Sequence, residues 1–210
     1  KLRTFFNGRT LYENIKMFPA GSYRVNHKTE SYWELPYEPG KKPPHDDELI
    51  NLIKSSVNYR CISDVPVGSY LSGGVDSTLI AALSNKPDTW TVGFPDNNEF
   101  EWGRKGAERI NSSHNEIIIN YNEFKDIARS MILKRQEPLS VPNEVLLYKM
   151  TKSVKKLNTV VLSGEGADEL FFGYDRIYRW ANENKWSISD FDKFYSYGTN
   201  KDYEIIEDAL

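Results

Sequence analysis

Ser72-Gly73-Gly74-Val75-Asp76-Ser77 combines the residue types that bind a phosphate with one that repels it. An apolar run, Val65-Pro66-Val67-Gly68-Ser69-Tyr70-Leu71, precedes it, and Thr78-Leu79-Ile80-Ala81-Ala82-Leu83 follows. The pattern predicts a strand, a tight turn and a helix start. Adjacent glycines let the backbone turn sharply and bring its N–H groups close to a ligand. Ser72, Ser77 and Thr78 add hydroxyls that can donate to phosphate oxygens. The helix starting near Ser77 points its positive end at the same spot. Asp76 is the exception. A carboxylate beside a phosphate is repulsive unless a cation lies between them, which implies Mg²⁺. The plainer alternative is a glycine-rich β–α connection with no ligand. The loop lacks the spacing and the lysine of a Walker A sequence, and it is not a GxGxxG dinucleotide fingerprint.

A second segment repeats the arrangement. Asn158-Thr159-Val160-Val161-Leu162 reads as a buried parallel strand and runs into Ser163-Gly164-Glu165-Gly166-Ala167-Asp168-Glu169, then Leu170-Phe171-Phe172-Gly173-Tyr174. An acid-rich helix start accounts for Asp168 and Glu169. It does not account for Gly164 and Gly166.

The first segment resembles the SGGxDS pyrophosphate-binding loop of the ATP pyrophosphatases, which split ATP between its α and β phosphates. The two segments, in this order, resemble the synthetase domain of the glutamine-dependent asparagine synthetases and their β-lactam synthetase relatives. SGEGADELFFGY is the more specific of the two. The resemblance covers nearly the whole chain and is weakest at both ends.

The resemblance implies a set of roles. Backbone groups of Leu71 and Val92 hold the adenine edge. Ser72, Gly73, Gly74 and Ser77 cradle the β and γ phosphates. Asp76 and Asp168 each hold a Mg²⁺ that bridges those phosphates. Ser163 and Gly164 approach the α-phosphate or ribose. Glu165 lies near the acceptor carboxylate or the arriving amine. The implied reaction is attack of a carboxylate, most simply aspartate, on the α-phosphorus of ATP. An acyl adenylate and pyrophosphate form, ammonia attacks the activated carbon, and AMP leaves. A preceding glutaminase domain would supply the ammonia, and a homodimer is compatible with the resemblance. Three departures stand out. Ala20 replaces a proline common in the family. Lys1 begins the chain where a glutaminase would carry its nucleophilic cysteine. No lysine after Trp180 matches the one the family uses in adenylation, so the chain reads as stopping inside its domain. Closure of a β-lactam, amidation of another carboxylate, or an inactive nucleotide-binding fragment remain as alternatives.

These residues need a scaffold to bring them together. From residue 65 onward, strands and helices alternate. Strands are expected at 65–71, 89–94, 116–120 and 159–162. Helices are expected near 77–85, 99–110, 121–134, 143–157 and 168–180. The alternation predicts an α/β fold with a doubly wound parallel sheet, and by the resemblance one of the ATP-pyrophosphatase type. Ligands of such sheets bind beyond the carboxyl ends of the strands, where strand order reverses. Both glycine turns are expected there, which would bring Asp76 and Asp168 within reach of each other. His114 precedes a strand and reads as structural. The loop Glu137-Pro138-Leu139-Ser140-Val141-Pro142 reads equally as an acceptor-site loop or a plain connection. Arg104, Lys105, Arg109, Lys149 and Lys152 read as solvated helix cations.

Three regions divide the chain. Residues 1–35 read as a short β tail of a glutaminase-like domain, with a hairpin around Asn26-His27-Lys28. Residues 36–45 form a linker. Its first nine residues hold four prolines, one glycine and two lysines, a composition that resists regular structure. Residues 46–210 form the synthetase domain, opening on a helix whose apolar face is Leu49, Ile50, Ile53 and Val57. Residues 187–210 are expected to form peripheral helices.

Composition narrows the partners. The 210 residues carry a net charge of −3 and 39% hydrophobic content. That is enough for one sizeable core. It offers no electrostatic case for nucleic acid or a membrane surface. The single cysteine, Cys61, excludes an internal disulfide and fits a reducing cytoplasm. With no partner evident, it reads as a small buried hydrophobe rather than a nucleophile. No apolar run reaches the roughly 20 residues that span a bilayer.

Overall fold

The computed structural model describes residues 8–34, 36, 42, 44–85, 88–187 and 190. Its first regular elements are β1 (Ser22–Val25) and β2 (Lys28–Ser31), an antiparallel hairpin. Asn26 and His27 both have positive φ, 48° and 65°. Two left-handed residues in succession make the tight turn that suits the twist of a two-residue hairpin. Nearly every residue of the hairpin is exposed. Most of the proline-rich linker, and all of 191–210, lie outside the described residues.

The helix α1 (Asp46–Arg60) opens on three acids in its first turn, which favour the positive end of the helix. Its predicted face holds at all but one residue, with Leu49 and Ile53 half-buried. Val57 is buried, whereas Ile50 is exposed. Cys61 follows it, half-buried. It packs on Val57, Val67 and Leu162, and its thiol donates to the Ser84 carbonyl at 3.7 Å.

Alternating elements follow: β3 (Val67–Tyr70), α2 (Val75–Ser84), β4 (Asp88–Gly93), α3 (Phe100–Arg109), β5 (Ser113–Ile118), α4 (Tyr121–Arg135), α5 (Asn143–Val154) and β6 (Val160–Leu162). The four strands form one parallel sheet in the order β5-β4-β3-β6. The chain therefore lays down β3, β4 and β5 in one direction. It then returns across the sheet and adds β6 on the far side of β3. Strand order reverses at β3, between its neighbours β4 and β6.

Successive side chains of a strand point to opposite faces, and the core follows that rule. On one face Val67 and Leu162 meet Val57, Ile80 and Leu83. Leu71 there meets Ala81, Ala107 and Ile110. On the other face Tyr70, Trp90, Val92, Ile117 and Val161 pack on Met150 and Val154 of α5. Helices thus cover both faces, as a parallel sheet requires.

The single helix expected at 168–180 is two: α6 (Ala167–Phe171) and α7 (Asp175–Glu183). Phe172 takes φ 60°, and the Gly173 N–H turns back to the Asp168 carbonyl at 3.0 Å. A left-handed residue ends a helix this way. The new turn carries Phe172 edge-on to Tyr178, and Ile177 is buried. The β5 strand also starts three residues before its expected position, at Ser113.

Candidate functional site

The two glycine turns leave neighbouring strands at the same edge of the sheet. Ser69 of β3 is paired with Leu162 of β6, and each strand then runs into its turn. This is the point of strand reversal, where open α/β sheets leave a crevice for ligands. The turns also touch. A Cβ added to Gly164 would lie 2.9 Å from the Ser77 backbone nitrogen, 3.1 Å from the Asp76 carbonyl carbon and 3.1 Å from the Asp76 Cβ. Backbone atoms cannot give way as a side-chain tip can, so only glycine fits there. Gly164 is therefore the contact that joins the two segments, a role beyond the one expected of it.

The first turn is braced from within. The Ser72 and Ser77 hydroxyls are 3.0 Å apart. The Ser72 N–H donates to Ser77 Oγ at 3.2 Å, and the Gly74 N–H donates to Ser72 Oγ at 3.3 Å. Gly73 has φ 87° and lies against the Trp102 backbone. The N-cap of α2 is Gly74, which has no side chain to accept a first-turn N–H. The first-turn N–H groups of Val75, Asp76 and Ser77 have no partner within the helix. They form the positive end that an anion would meet.

Asp76 lies in that first turn, half-buried. Asp168 lies in the first turn of α6, also half-buried. Among the described residues no cation is paired with either. Glu165 is exposed on the connecting turn, ahead of Gly166 at φ 89°. Ser163 is exposed and Gly164 half-buried. Among the described residues no group of three acidic, histidine or cysteine side chains could hold a metal by itself. Magnesium, however, is commonly held by one or two carboxylates together with substrate phosphates. Asp76 in the first turn of α2 and Asp168 in the first turn of α6, neither with a cation partner among the described residues, are carboxylates of that kind.

Thr78 departs from the expected set of phosphate donors. Its hydroxyl is buried without a partner, and Thr78 and Gly106 help line a groove of about 530 Å³ between α2 and α3. Residues 77 and 78 point about 100° apart on a helix, so only Ser77 faces the turn. Three of the five cations already have partners: Arg104 with Glu116 at 2.6 Å, Lys105 with Glu101 at 2.6 Å, and Lys149 with Glu123. The 137–142 loop is tied down by Glu144, which accepts the Ser140 N–H at 2.7 Å and also meets Arg135.

Leu71 is 1% exposed. Its N–H donates to the Trp90 carbonyl at 2.9 Å, and its own carbonyl accepts the Thr91 hydroxyl. Peptide groups alternate sides along a strand. Since the Trp90 carbonyl faces β3, so do the N–H and C=O of Val92, two residues on. By that point β3 has ended. Val92 therefore presents a donor and an acceptor at the carboxyl edge, while at Leu71 the N–H is used and the carbonyl keeps one lone pair.

His114, read from the sequence as structural, is tied into the sheet. Its Nδ1 is 3.0 Å from Thr89 Oγ1 and its Nε2 is 3.3 Å from Thr91 Oγ1. Burial holds its pKa below the ordinary histidine value. One signal was available in the sequence. Thr89 and Thr91 flank Trp90, so two hydroxyls share the opposite face of a buried strand.

Comparison with known proteins gives a family model described as asparagine synthase, matched by residues 48–205. Asparagine synthetase [glutamine-hydrolyzing] 1 of Bacillus subtilis (strain 168) is 32% identical over 176 residues, 78% of this chain and 28% of that protein. Asparagine synthetase B [glutamine-hydrolyzing] of Escherichia coli (strain K12) is 31% identical over 187 residues, 76% of this chain and 34% of that one. The chain thus spans about a third of the length of these curated relatives. A glutamine-dependent NAD+ synthetase from Acinetobacter baumannii, solved with adenosine diphosphate, is 17% identical. It has a TM-score of 0.45 and covers 66% of this chain and 29% of its own.

Proposed function

The chain belongs to the asparagine synthase family, an enzyme family, and from that premise we propose that it carries the ATP-dependent amide-forming site of a larger ligase. The observation that carries the reading is the contact of Gly164 with Asp76 and Ser77. It joins the two glycine turns at the point of strand reversal.

In this reading ATP lies across that edge. The adenine edge meets backbone groups of Val92 and Leu71, whose carbonyl keeps a second lone pair. The uncapped N–H groups of α2, with Ser72, Gly73, Gly74 and Ser77, receive the β and γ phosphates. Asp76 and Asp168 would hold Mg²⁺, which would offset the charge of departing pyrophosphate. Ser163 and Gly164 border the α-phosphate or ribose. An acceptor carboxylate, most simply aspartate, attacks the α-phosphorus and displaces pyrophosphate. Ammonia then attacks the acyl carbon and releases AMP. Glu165 is exposed on the turn, free to position the incoming amine or take its proton. Holding both reactants at one edge supplies the orientation that the second step needs.

The same reading makes 1–35 the tail of a glutaminase-like domain, 36–45 a linker and 46–210 the synthetase domain. The hairpin is almost wholly exposed, and α1 begins at Asp46, which supports that division. The glutaminase domain of the longer protein would supply ammonia from glutamine, and two copies could pair. Among the described residues no helix is long and apolar enough to cross a membrane. A cytoplasmic site of action is the simplest reading of the single free cysteine.

The test is product analysis of the protein bearing this chain, with ammonia as donor and a panel of carboxylates. AMP and pyrophosphate should appear in equal amounts and depend on one carboxylate. Formation of ADP and phosphate would refute the reading.

A further inference from the structure

Thr91 is 5% exposed, on the sheet face that α3 covers. Its hydroxyl donates to the Leu71 carbonyl. A hydroxyl has one proton, so toward His114 Nε2 the Thr91 oxygen acts as acceptor. Nε2 must then carry the ring proton. Nδ1 then accepts from Thr89 Oγ1 at 3.0 Å, nearer to that hydroxyl than the Ser113 carbonyl at 3.4 Å, which leaves Ser112 Oγ, 3.0 Å away, to donate to Thr89. One neutral tautomer satisfies every member. The donors run in one direction: Ser112, Thr89, His114, Thr91, Leu71. The helix α3 closes over the centre of this chain. A Cβ on Gly103 would lie 2.7 Å from Thr91 Oγ1 and 2.9 Å from His114 Nε2.

The consequence lies at the end of the ladder. In a regular parallel pair, the Leu71 N–H goes to Trp90 and the Leu71 carbonyl next takes the N–H of Val92. Here the Leu71 carbonyl accepts the Thr91 hydroxyl and takes no bond from the Val92 N–H. The donor and acceptor of Val92 stay open beyond β3. Adenine offers the matching pair, an acceptor at N1 beside a donor at N6. Guanine offers the reverse pair, a donor at N1 beside an acceptor at O6.

We propose that His114 is a positioning residue for base recognition. By holding the Thr91 hydroxyl on the Leu71 carbonyl, it keeps the Val92 peptide out of the β3 ladder and open to adenine. The inference rests on the nucleotide site proposed above.

The experiment is calorimetric titration of the protein bearing this chain with Mg·ATP and with Mg·GTP. The wild type prefers ATP. Thr91→Val releases the Leu71 carbonyl from the position in which the hydroxyl holds it, letting it turn to the Val92 N–H, so ATP binding falls about tenfold, one hydrogen bond's worth, while GTP binding holds. Thr91→Ser restores the preference. His114→Gln, whose amide can donate to Thr91 and accept from Thr89, keeps it. His114→Asn, too short to reach both, loses it. The two polar substitutions keep the contrast readable if Thr91→Val does not fold. Lower melting temperatures with an unchanged ATP-to-GTP ratio would make His114 structural only and overturn the inference. A wild-type protein that binds neither nucleotide would overturn the nucleotide site itself, and this inference with it.

Discussion

Asp76 and Asp168 pair with no cation among the described residues, and both sit at helix starts. Neutralising either one removes no ion pair from the fold. Asp76→Asn and Asp168→Asn should therefore stay within about 0.5 kcal/mol of wild-type stability while pyrophosphate release is lost. A large fall in melting temperature without nucleotide would assign them to the fold instead. His114 behaves differently. Burial lowers its pKa, so between the folded and unfolded values the unfolded chain binds the extra proton. Stability is then fully present above about pH 6.5, the ordinary histidine value. It declines as pH falls from there toward the folded pKa. The difference in melting temperature between wild type and His114→Gln should track that decline, and a difference independent of pH would contradict it. The acidic and glycine residues stand out in the sequence because their types suggest the chemistry proposed for them. The His114 link was not, because strand pairing alone decides that Thr91 reaches Leu71.

The elements from α2 to α5 lie close to where hydrophobic periodicity put them, since each is a continuous run between breakers. Periodicity failed between α6 and α7. Leu170, Phe171 and Phe172 look like one apolar stripe, yet all three are exposed. Phe172 reverses the chain at a positive φ that carries no mark in its residue type. The contact between the glycine turns was legible only as adjacency. That Gly164 itself makes the contact needed the register of β6 on β3. Gly164→Ala puts a methyl against the α2 backbone. It should cost about 1–3 kcal/mol, the usual penalty for overpacking, and weaken Mg·ATP binding as the turns part. Denaturant unfolding and calorimetry measure the two effects. A stable variant with intact binding would show that the turns need not touch.

At the scale of the whole molecule, α1 to β6 form one sheet covered on both faces, and the exposed hairpin stands before it. The order β5-β4-β3-β6 could be anticipated only as a class of fold, because local sequence does not say on which side of β3 the last strand is added. Cys61 is packed against Val57, Val67 and Leu162 and donates to Ser84. This chain should release no glutamate from glutamine, and Cys61→Ser should alter packing alone. Glutamate release lost on that substitution would reassign the cysteine. The central claim is that two turns distant in sequence make one Mg·ATP site, and a double-mutant cycle tests it most directly. Mg·ATP affinity is measured for wild type, Asp76→Asn, Asp168→Asn and the double variant. One shared site predicts strong coupling, with the double variant little weaker than the worse single. Losses that simply add would mean that the two carboxylates act apart, and would contradict the account.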